Sequence, residues 1–208
     1  CKNAYPNSFG LIYSAITFYL GWKPFCDEGI IMGLASYGDS SKKVKGTNKT
    51  YYDFFKDIIC FNKKNPLNYE INKEWIAYHI KRDVWVSNKF IKFFGKPKKY
   101  SSKLTEHHMN IAKALQDRLE YVVCEQLKYL KKKYKTENLC LAGGVALNCS
   151  LNGRIKSEKI FKNVFIQPAS GDAGISYGSC LVTTLKKRKL NTKKLDNFYS
   201  GLRENEKI

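Results

Sequence analysis

The stretch Asn138-Leu139-Cys140-Leu141-Ala142-Gly143-Gly144-Val145-Ala146-Leu147-Asn148 decides how this 208-residue chain is read. A short apolar run that stops at a double glycine has the length of a buried strand, and the residues after it, Val145–Ser157, suit a helix. The pattern then repeats. Asn163-Val164-Phe165-Ile166 is a second strand, stopped by Pro168, and after Gly171-Asp172 a small-residue helix runs from Ala173 to Leu185. Upstream, Ile111, Leu115, Leu119, Val122, Val123, Leu127 and Leu130 recur at three- and four-residue steps, so Thr105 to about Tyr134 is an amphipathic helix. Lysines 131, 132, 133 and 135 gather at its end, where cations favour the negative pole of the helix dipole. Helix, strand, loop, helix, strand, loop, helix is the order of an α/β layered fold with parallel neighbouring strands.

In open α/β sheets, ligands sit outside the carboxyl ends of the strands. Two loops leave such ends: Gly143-Gly144-Val145-Ala146-Leu147-Asn148 and Gln167-Pro168-Ala169-Ser170-Gly171-Asp172-Ala173-Gly174. The first puts glycines where a side chain would block a nucleotide, just before a helix N-terminus that faces phosphate well. Asn148 falls in that helix's first turn with an amide that both donates and accepts. The second loop offers the Asp172 carboxylate among small residues, with room for a metal or a phosphate. Each feature also has an ordinary explanation. A double glycine after a strand is commonly a tight turn, and an Asp at a helix start is commonly an N-cap. Two such loops in tandem, each at a strand's end, put a ligand crevice on an equal footing with two ordinary turns.

The rest of the chain frames this unit. In residues 1–38, apolar positions 12, 15, 16, 19 and 20 predict a buried helix stopped by Gly21, and Ile30–Tyr37 a shorter one ending at Gly38. Residues 39–104 open on a polar linker; Tyr51–Phe61 and Trp75–Phe94 read as a strand followed by a helix, and the whole as a peripheral insertion. Residues 187–208 turn polar and Lys-rich, a linker towards a further domain. The net charge of +19 suggests nucleic acid, but of 37 basic residues only five are Arg, the side chain suited to bidentate phosphate and base contacts. Scattered lysines make a solvated surface the preferred reading. Seven cysteines without a C-x-x-C pair fit a reducing cytoplasm, and Cys140, Cys149 and Cys180, in apolar or small-residue runs, read as buried thiols. The apolar stretches near the start are too short and broken to span a bilayer.

These residues carry a family resemblance. Leu139 to Cys149, then Asn152-Gly153, then Gln167-Pro168-Ala169 with Gly171-Asp172-Ala173-Gly174, closely resemble the nodulation- and antibiotic-type O-carbamoyltransferases. So do Tyr5-Pro6-Asn7-Ser8-Phe9-Gly10, Tyr13-Ser14-Ala15 and Tyr19-Leu20-Gly21, and the glutamate motif Asp27-Glu28-Gly29 with Met32-Gly33-Leu34-Ala35 and Tyr37-Gly38. The resemblance covers about three quarters of the chain, weakest in the middle. It implies the second half (residues 1–186) of an actin-like, sugar-kinase-like ATPase domain (the ASKHA, ribonuclease-H-like class), related to the tRNA threonylcarbamoyl-adenosine transferases.

The same resemblance implies site roles. Gly143, Gly144, Val145, Asn148 and Gly171 would contact the nucleotide or acyl-adenylate, and Asp172 would bind an iron-like or manganese ion, with magnesium accompanying ATP. Glu28 is a candidate catalytic residue. Two further histidine ligands belong to a first half that these residues do not include; His79, His107 and His108 do not match them and read as surface or structural. Ile30 stands where the family motif usually has Lys, which removes an electrostatic contact. The implied reaction joins carbamoyl phosphate and ATP to a carbamoyl-adenylate in a carboxy-terminal domain, then passes the carbamoyl group to a hydroxyl of a sugar or other small molecule. The chain is therefore expected to be part of a longer cytoplasmic enzyme and inactive alone. The rivals are a threonylcarbamoyl transferase acting on tRNA, and a non-catalytic lysine-rich nucleotide- or nucleic-acid-binding module.

Overall fold

A computed structural model describes residues 2–187. The elements run α1 (Phe9–Tyr19), α2 (Glu28–Ala35), α3 (Tyr51–Ile58), β1 (Ile59–Asn62), β2 (Asn65–Ile71), α4 (Asn88–Phe94) and α5 (Glu106–Tyr134). They continue with β3 (Asn138–Leu141), a 3-10 turn (Gly144–Leu147), α6 (Cys149–Ser157), β4 (Asn163–Ile166) and α7 (Gly174–Lys187). The fold is mixed α/β, and its axis is the 29-residue helix α5.

Sequence dictates these elements in recognisable ways. Ser8 caps α1 by accepting from the Leu11 N–H at 3.2 Å. The helix buries Ile12, Ala15, Ile16 and Tyr19, the stripe expected of a 3.6-residue period. It ends at Gly21, where φ is +92° and a Cβ would meet the Lys98 carbonyl oxygen at 2.8 Å. Helix α5 buries Ile111, Leu115, Leu119, Val122 and Leu127, and it packs against α1, α2 and α3. Buried Arg118 fastens α5 to the first sheet: its Nε and Nη2 donate to the Ile59 carbonyl at 3.0 and 2.7 Å, and its guanidinium lies 5.1 Å from the Phe61 ring centroid. Gly38 packs so tightly on α5 that a Cβ would sit 2.2 Å from the Met109 carbonyl oxygen.

The parallel pair expected from the repeated strand–loop–helix pattern is present. β3 and β4 pair from Asn138 opposite Asn163 to Leu141 opposite Ile166. This places the two loops side by side at the carboxyl ends, and the Gly143 N–H donates to the Ser170 carbonyl at 2.8 Å.

Several expectations need correction. Residues 39–104 are not peripheral: Phe54, Phe55, Ile58, Ile59, Ile71 and Phe90 belong to the same core as α1 and α5. Within them, most of the expected strand Tyr51–Phe61 is helix α3, because Tyr51, Phe54, Phe55 and Ile58 fall on one helical face, and the helix expected over Trp75–Phe94 is confined to Asn88–Phe94. β3 is only half buried, since Leu139 and Leu141 face the core while Asn138 and Cys140 do not. Helix α7 buries none of its residues. Accordingly Cys140, Cys149 and Cys180 are exposed rather than buried thiols. The 187–208 linker lies, apart from Lys187, outside the described residues. Among the described residues no helix is long and apolar enough to cross a membrane.

Candidate functional site

The carboxyl ends of β3 and β4 open into a cleft of about 630 Å³, a size suited to a nucleotide-sized ligand. Its first side comes from the start of α1 (Ser8 to Leu11, Tyr13, Ser14) and from Phe25, Cys26, Glu28, Gly29 and Met32 around α2. The second comes from Gly144, Val145, Leu147 and Asn148, with Gly171 and Asp172 at the neighbouring loop and Leu119 of α5 beneath. Glu28, Gly144, Val145, Asn148, Gly171 and Asp172, proposed from widely separated stretches, thus share one cleft. Gly143 stands behind it, with φ at +96° turning the chain from strand to 3-10 turn, a conformation that favours glycine. Gly171 is packed close enough that a Cβ would touch Leu147 Cδ1 at 3.4 Å, and a Cβ on Gly174 would strike the Ala169 carbonyl oxygen at 2.1 Å. The small residues of the second loop therefore allow its tight turn as well as its openness.

Glu28 starts α2 and is held from two directions. The Ser14 hydroxyl donates to its Oε1 at 2.5 Å and the Phe25 N–H donates to the same oxygen at 2.6 Å. Ser14 is itself buried on α1, so the carboxylate is fixed to the helix behind it. Asp172 lies exposed in the turn before α7, its carbonyl accepting from the Ile175 N–H.

Asn148 is placed differently from a free amide. It is the N-cap of α6: Oδ1 accepts from the Leu151 N–H at 2.9 Å and from Gln116 Nε2 at 3.1 Å, while Nδ2 donates to Gln116 Oε1 at 2.9 Å. Gln116, 3% exposed, also donates to Glu120 Oε1 at 2.7 Å and accepts from the Tyr13 hydroxyl at 2.9 Å. Burial pushes the Tyr13 phenol well above its ordinary range; a hydrogen bond from Asn148 opposes the shift, and the Glu120 and Glu28 charges add to it. Tyr13 is therefore a neutral donor. This network ties the α6 loop to α1 and α5 and sets the rotamer of Asn148. Sequence reading missed Gln116, although a polar residue next to Leu115 on an otherwise apolar face was a usable signal.

The other candidates separate cleanly. His107 bridges the Tyr51 hydroxyl at 2.6 Å and the Phe94 carbonyl at 2.8 Å, and His108 Nδ1 accepts from the Thr105 N–H in a capping box. Burial, followed by the nearby His107 and Lys98 charges, lowers the His108 pKa, which keeps its ring neutral for that role. Ile30 is 45% exposed and does not line the cleft, although Glu28 and Gly29 beside it do. Among the described residues no Lys or Arg lines the cleft. Among the described residues no three His, Cys, Asp or Glu side chains form a metal-binding group. Asp172 and Glu28 would be at most part of a ligand set.

In α/β units a cleft at the carboxyl ends of adjacent parallel strands is where a ligand is usually received. Residues 2–181 match the family described as Carbamoyltransferase N-terminus, and the chain belongs to that family. It is 39% identical over 178 residues to an uncharacterized protein of Synechocystis, covering 85% of this chain and 27% of that protein. To Nodulation protein NolO of Bradyrhizobium diazoefficiens it is 33% identical over 178 residues, 86% of this chain and 28% of that protein. An uncharacterized protein of Methanocaldococcus jannaschii is 32% identical over 203 residues, 97% of this chain and 34% of its own length. The chain thus spans about a quarter to a third of the curated relatives it matches.

Proposed function

We propose that this chain contributes the acyl-transfer cleft of a cytoplasmic, ATP-dependent O-carbamoyltransferase, built as one half of an actin-like ATPase domain. The observation that carries the reading is the convergence of Glu28, Gly144, Asn148, Gly171 and Asp172 on one cleft in a chain of the carbamoyltransferase family. In this reaction water releases carbamate and phosphate from carbamoyl phosphate, and the carbamate oxygen attacks the α-phosphorus of ATP and displaces pyrophosphate to give a carbamoyl-adenylate. An acceptor hydroxyl then attacks the carbamoyl carbon. The new C–O bond forms as the bond to AMP breaks, and AMP leaves with the electron pair. Orientation supplies most of the acceleration, because the acyl group is already activated. Both hydrogen bonds to Glu28 fall on Oε1, which leaves Oε2 as the atom to take the hydroxyl proton. The Gly144 backbone lies open to a ligand, with nothing within 4 Å of its would-be Cβ. Asn148, locked by Gln116 and the start of α6, holds the loop's shape. With no Lys or Arg among the described residues lining the cleft, phosphate charge has to be met by backbone dipoles, by a metal bound partly through Asp172, or by residues beyond the described ones. A divalent metal, iron-like or manganese, would act there as a Lewis acid.

The test uses the full-length protein. Carbamoyl-phosphate-dependent conversion of ATP to AMP is expected, together with metal content that falls in Asp172→Ala. Salt-sensitive RNA binding with no such turnover would reject the enzyme in favour of a binding module. Unchanged metal stoichiometry and affinity in the variant would remove Asp172 from the ligand set.

A further inference from the structure

Among the described residues, the two most exposed large apolar side chains are Ile80 (80%) and Tyr100 (79%). Both sit on hydrogen-bonded turns. The Ile80 and Lys81 N–H groups donate to the Ala77 carbonyl at 2.9 and 3.0 Å, and the Ser102 N–H donates to the Lys99 carbonyl at 3.0 Å. Both turns flank the carboxyl end of α1. The Lys98 N–H donates to the Tyr19 carbonyl at 2.8 Å, and Lys98 Nζ lies 5.2 Å from the Trp22 ring centroid. From the other side Trp85 meets Phe18 and exposed Phe25, with centroids 6.3 and 5.4 Å apart. Charge gathers on the same three segments, 18–25, 78–85 and 96–103. They carry exposed Lys23, Lys81, Arg82, Lys96, Lys99 and Lys103, with Lys98 half-buried among them, against the single carboxylate of Asp83. Elsewhere Lys49, Lys56, Lys89, Lys113, Lys128 and Lys131 have carboxylate partners; among the described residues none of those six exposed cations forms an ion pair. The negative pole of α1 accounts for Lys98 alone.

We propose that this face docks on the surface of an anionic lipid bilayer, with Ile80 and Tyr100 entering the headgroup boundary and the unpaired cations meeting lipid phosphates. Protruding apolar tips ringed by lysines are what a protein lying on a membrane presents: hydrocarbon rewards the tips, and the negative surface potential rewards the ring. The composition separates this partner from a nucleic acid. Arg82 is the one Arg in the group, and a branched aliphatic tip such as Ile80 offers a base neither a stacking face nor a hydrogen bond. Its gain comes from leaving water for hydrocarbon. Docking of this kind is distinct from spanning and needs no long apolar helix. Phe25 belongs to this face and also lines the cleft, so the bound protein holds the cleft's mouth beside the bilayer. The proposal concerns where the protein sits and does not depend on the reaction it carries out.

The experiment is co-sedimentation of the full-length protein with vesicles of equimolar phosphatidylcholine and phosphatidylglycerol, with pure phosphatidylcholine vesicles as the comparison. Sedimentation with the anionic vesicles alone, weakening as salt is added, is expected. Each cation near such a surface contributes about fivefold to partitioning, so Lys96→Gln, Lys99→Gln and Lys103→Gln together should lower it roughly a hundredfold. Ile80→Ser should lower it about three- to tenfold. Both variants change exposed side chains, and their melting temperatures should match the wild type. The control is Lys132→Gln, Lys133→Gln and Lys135→Gln together, which removes the same charge at the far end of the 29-residue α5 and should change partitioning far less. The proposal is overturned if the wild type does not sediment with anionic vesicles, or if the control loses as much as the first variant, which would leave only attraction by net charge. It is also overturned if Ile80→Ser partitions as the wild type does. A parallel titration with a short RNA duplex covers the other polyanion: loss of RNA binding without loss of vesicle binding in the Lys96, Lys99 and Lys103 variant would give the face to nucleic acid.

Discussion

Asn148 combines two jobs that substitution can separate. Its oxygen caps α6 through the Leu151 N–H, and its amide completes the hydrogen bonding of buried Gln116. Asn148→Ala removes the cap, at about 1 kcal/mol, and takes from buried Gln116 its Asn148 bonds while leaving those to Tyr13 and Glu120, at about a further 0.5–1.5 kcal/mol. Asn148→Ser restores a capping oxygen but cannot reach Gln116. Urea unfolding should therefore rank wild type above Ser above Ala; equal midpoints for the two variants would show that the cap contributes nothing. At this scale the sequence identified the residue but not its partner. The pairing of Asn148 with Gln116 joins positions 32 residues apart, and no local pattern encodes such a distance. The same holds for Phe25, whose position next to Trp85 depends on how residues 39–104 return to the α1–α2 turn.

Among the elements, α3 offers the clearest pH test. Thr50 and Asp53 form a reciprocal capping box, and Lys56 Nζ lies 2.8 Å from Asp53 Oδ1. The Lys56 hydrogen bond first, and then those from Thr50, pull the Asp53 pKa down to about 2. A carboxyl depressed in the folded state stabilises it above the unfolded pKa, near 3.8, and the contribution is lost as pH falls through about 2. The melting temperature of the wild type should fall more steeply between pH 4 and 2 than that of Asp53→Asn, as followed by calorimetry. Parallel slopes in that window would show that the capping box carries no pH-dependent stability. The helical spacing of Tyr51, Phe54, Phe55 and Ile58 was readable, but the aromatic content favoured a strand, since aromatic residues suit both. In contrast, α5 and β4 were legible because their patterns are long or sharply punctuated.

At the level of the whole molecule, packing is uneven. α1, α3 and α5 share one apolar core, whereas the β3–β4 sheet has two strands and α7 buries none of its residues. Local opening is easiest where few apolar contacts resist it. Hydrogen exchange on this chain should accordingly be fastest in β3, β4 and α7 and slowest in the centres of α1 and α5. Equal protection across both regions would contradict that division, and added protection of β3–α7 in the full-length protein would show that its other segments cover this face.

The sequence by itself determined the α/β order, the parallel pair, the two glycine-bearing loops and the family, because short-range periodicity and turn chemistry are written in consecutive residues. Tertiary structure alone decided three matters: that Glu28 and Ser14 meet the Asn148 and Asp172 loops in one cleft, that Gln116 fixes Asn148, and that residues 39–104 enter the core and bring Trp85 behind Phe25. Each depends on contacts between distant positions, whose free energy comes from burial and hydrogen bonding in the folded state and leaves no local trace along the chain.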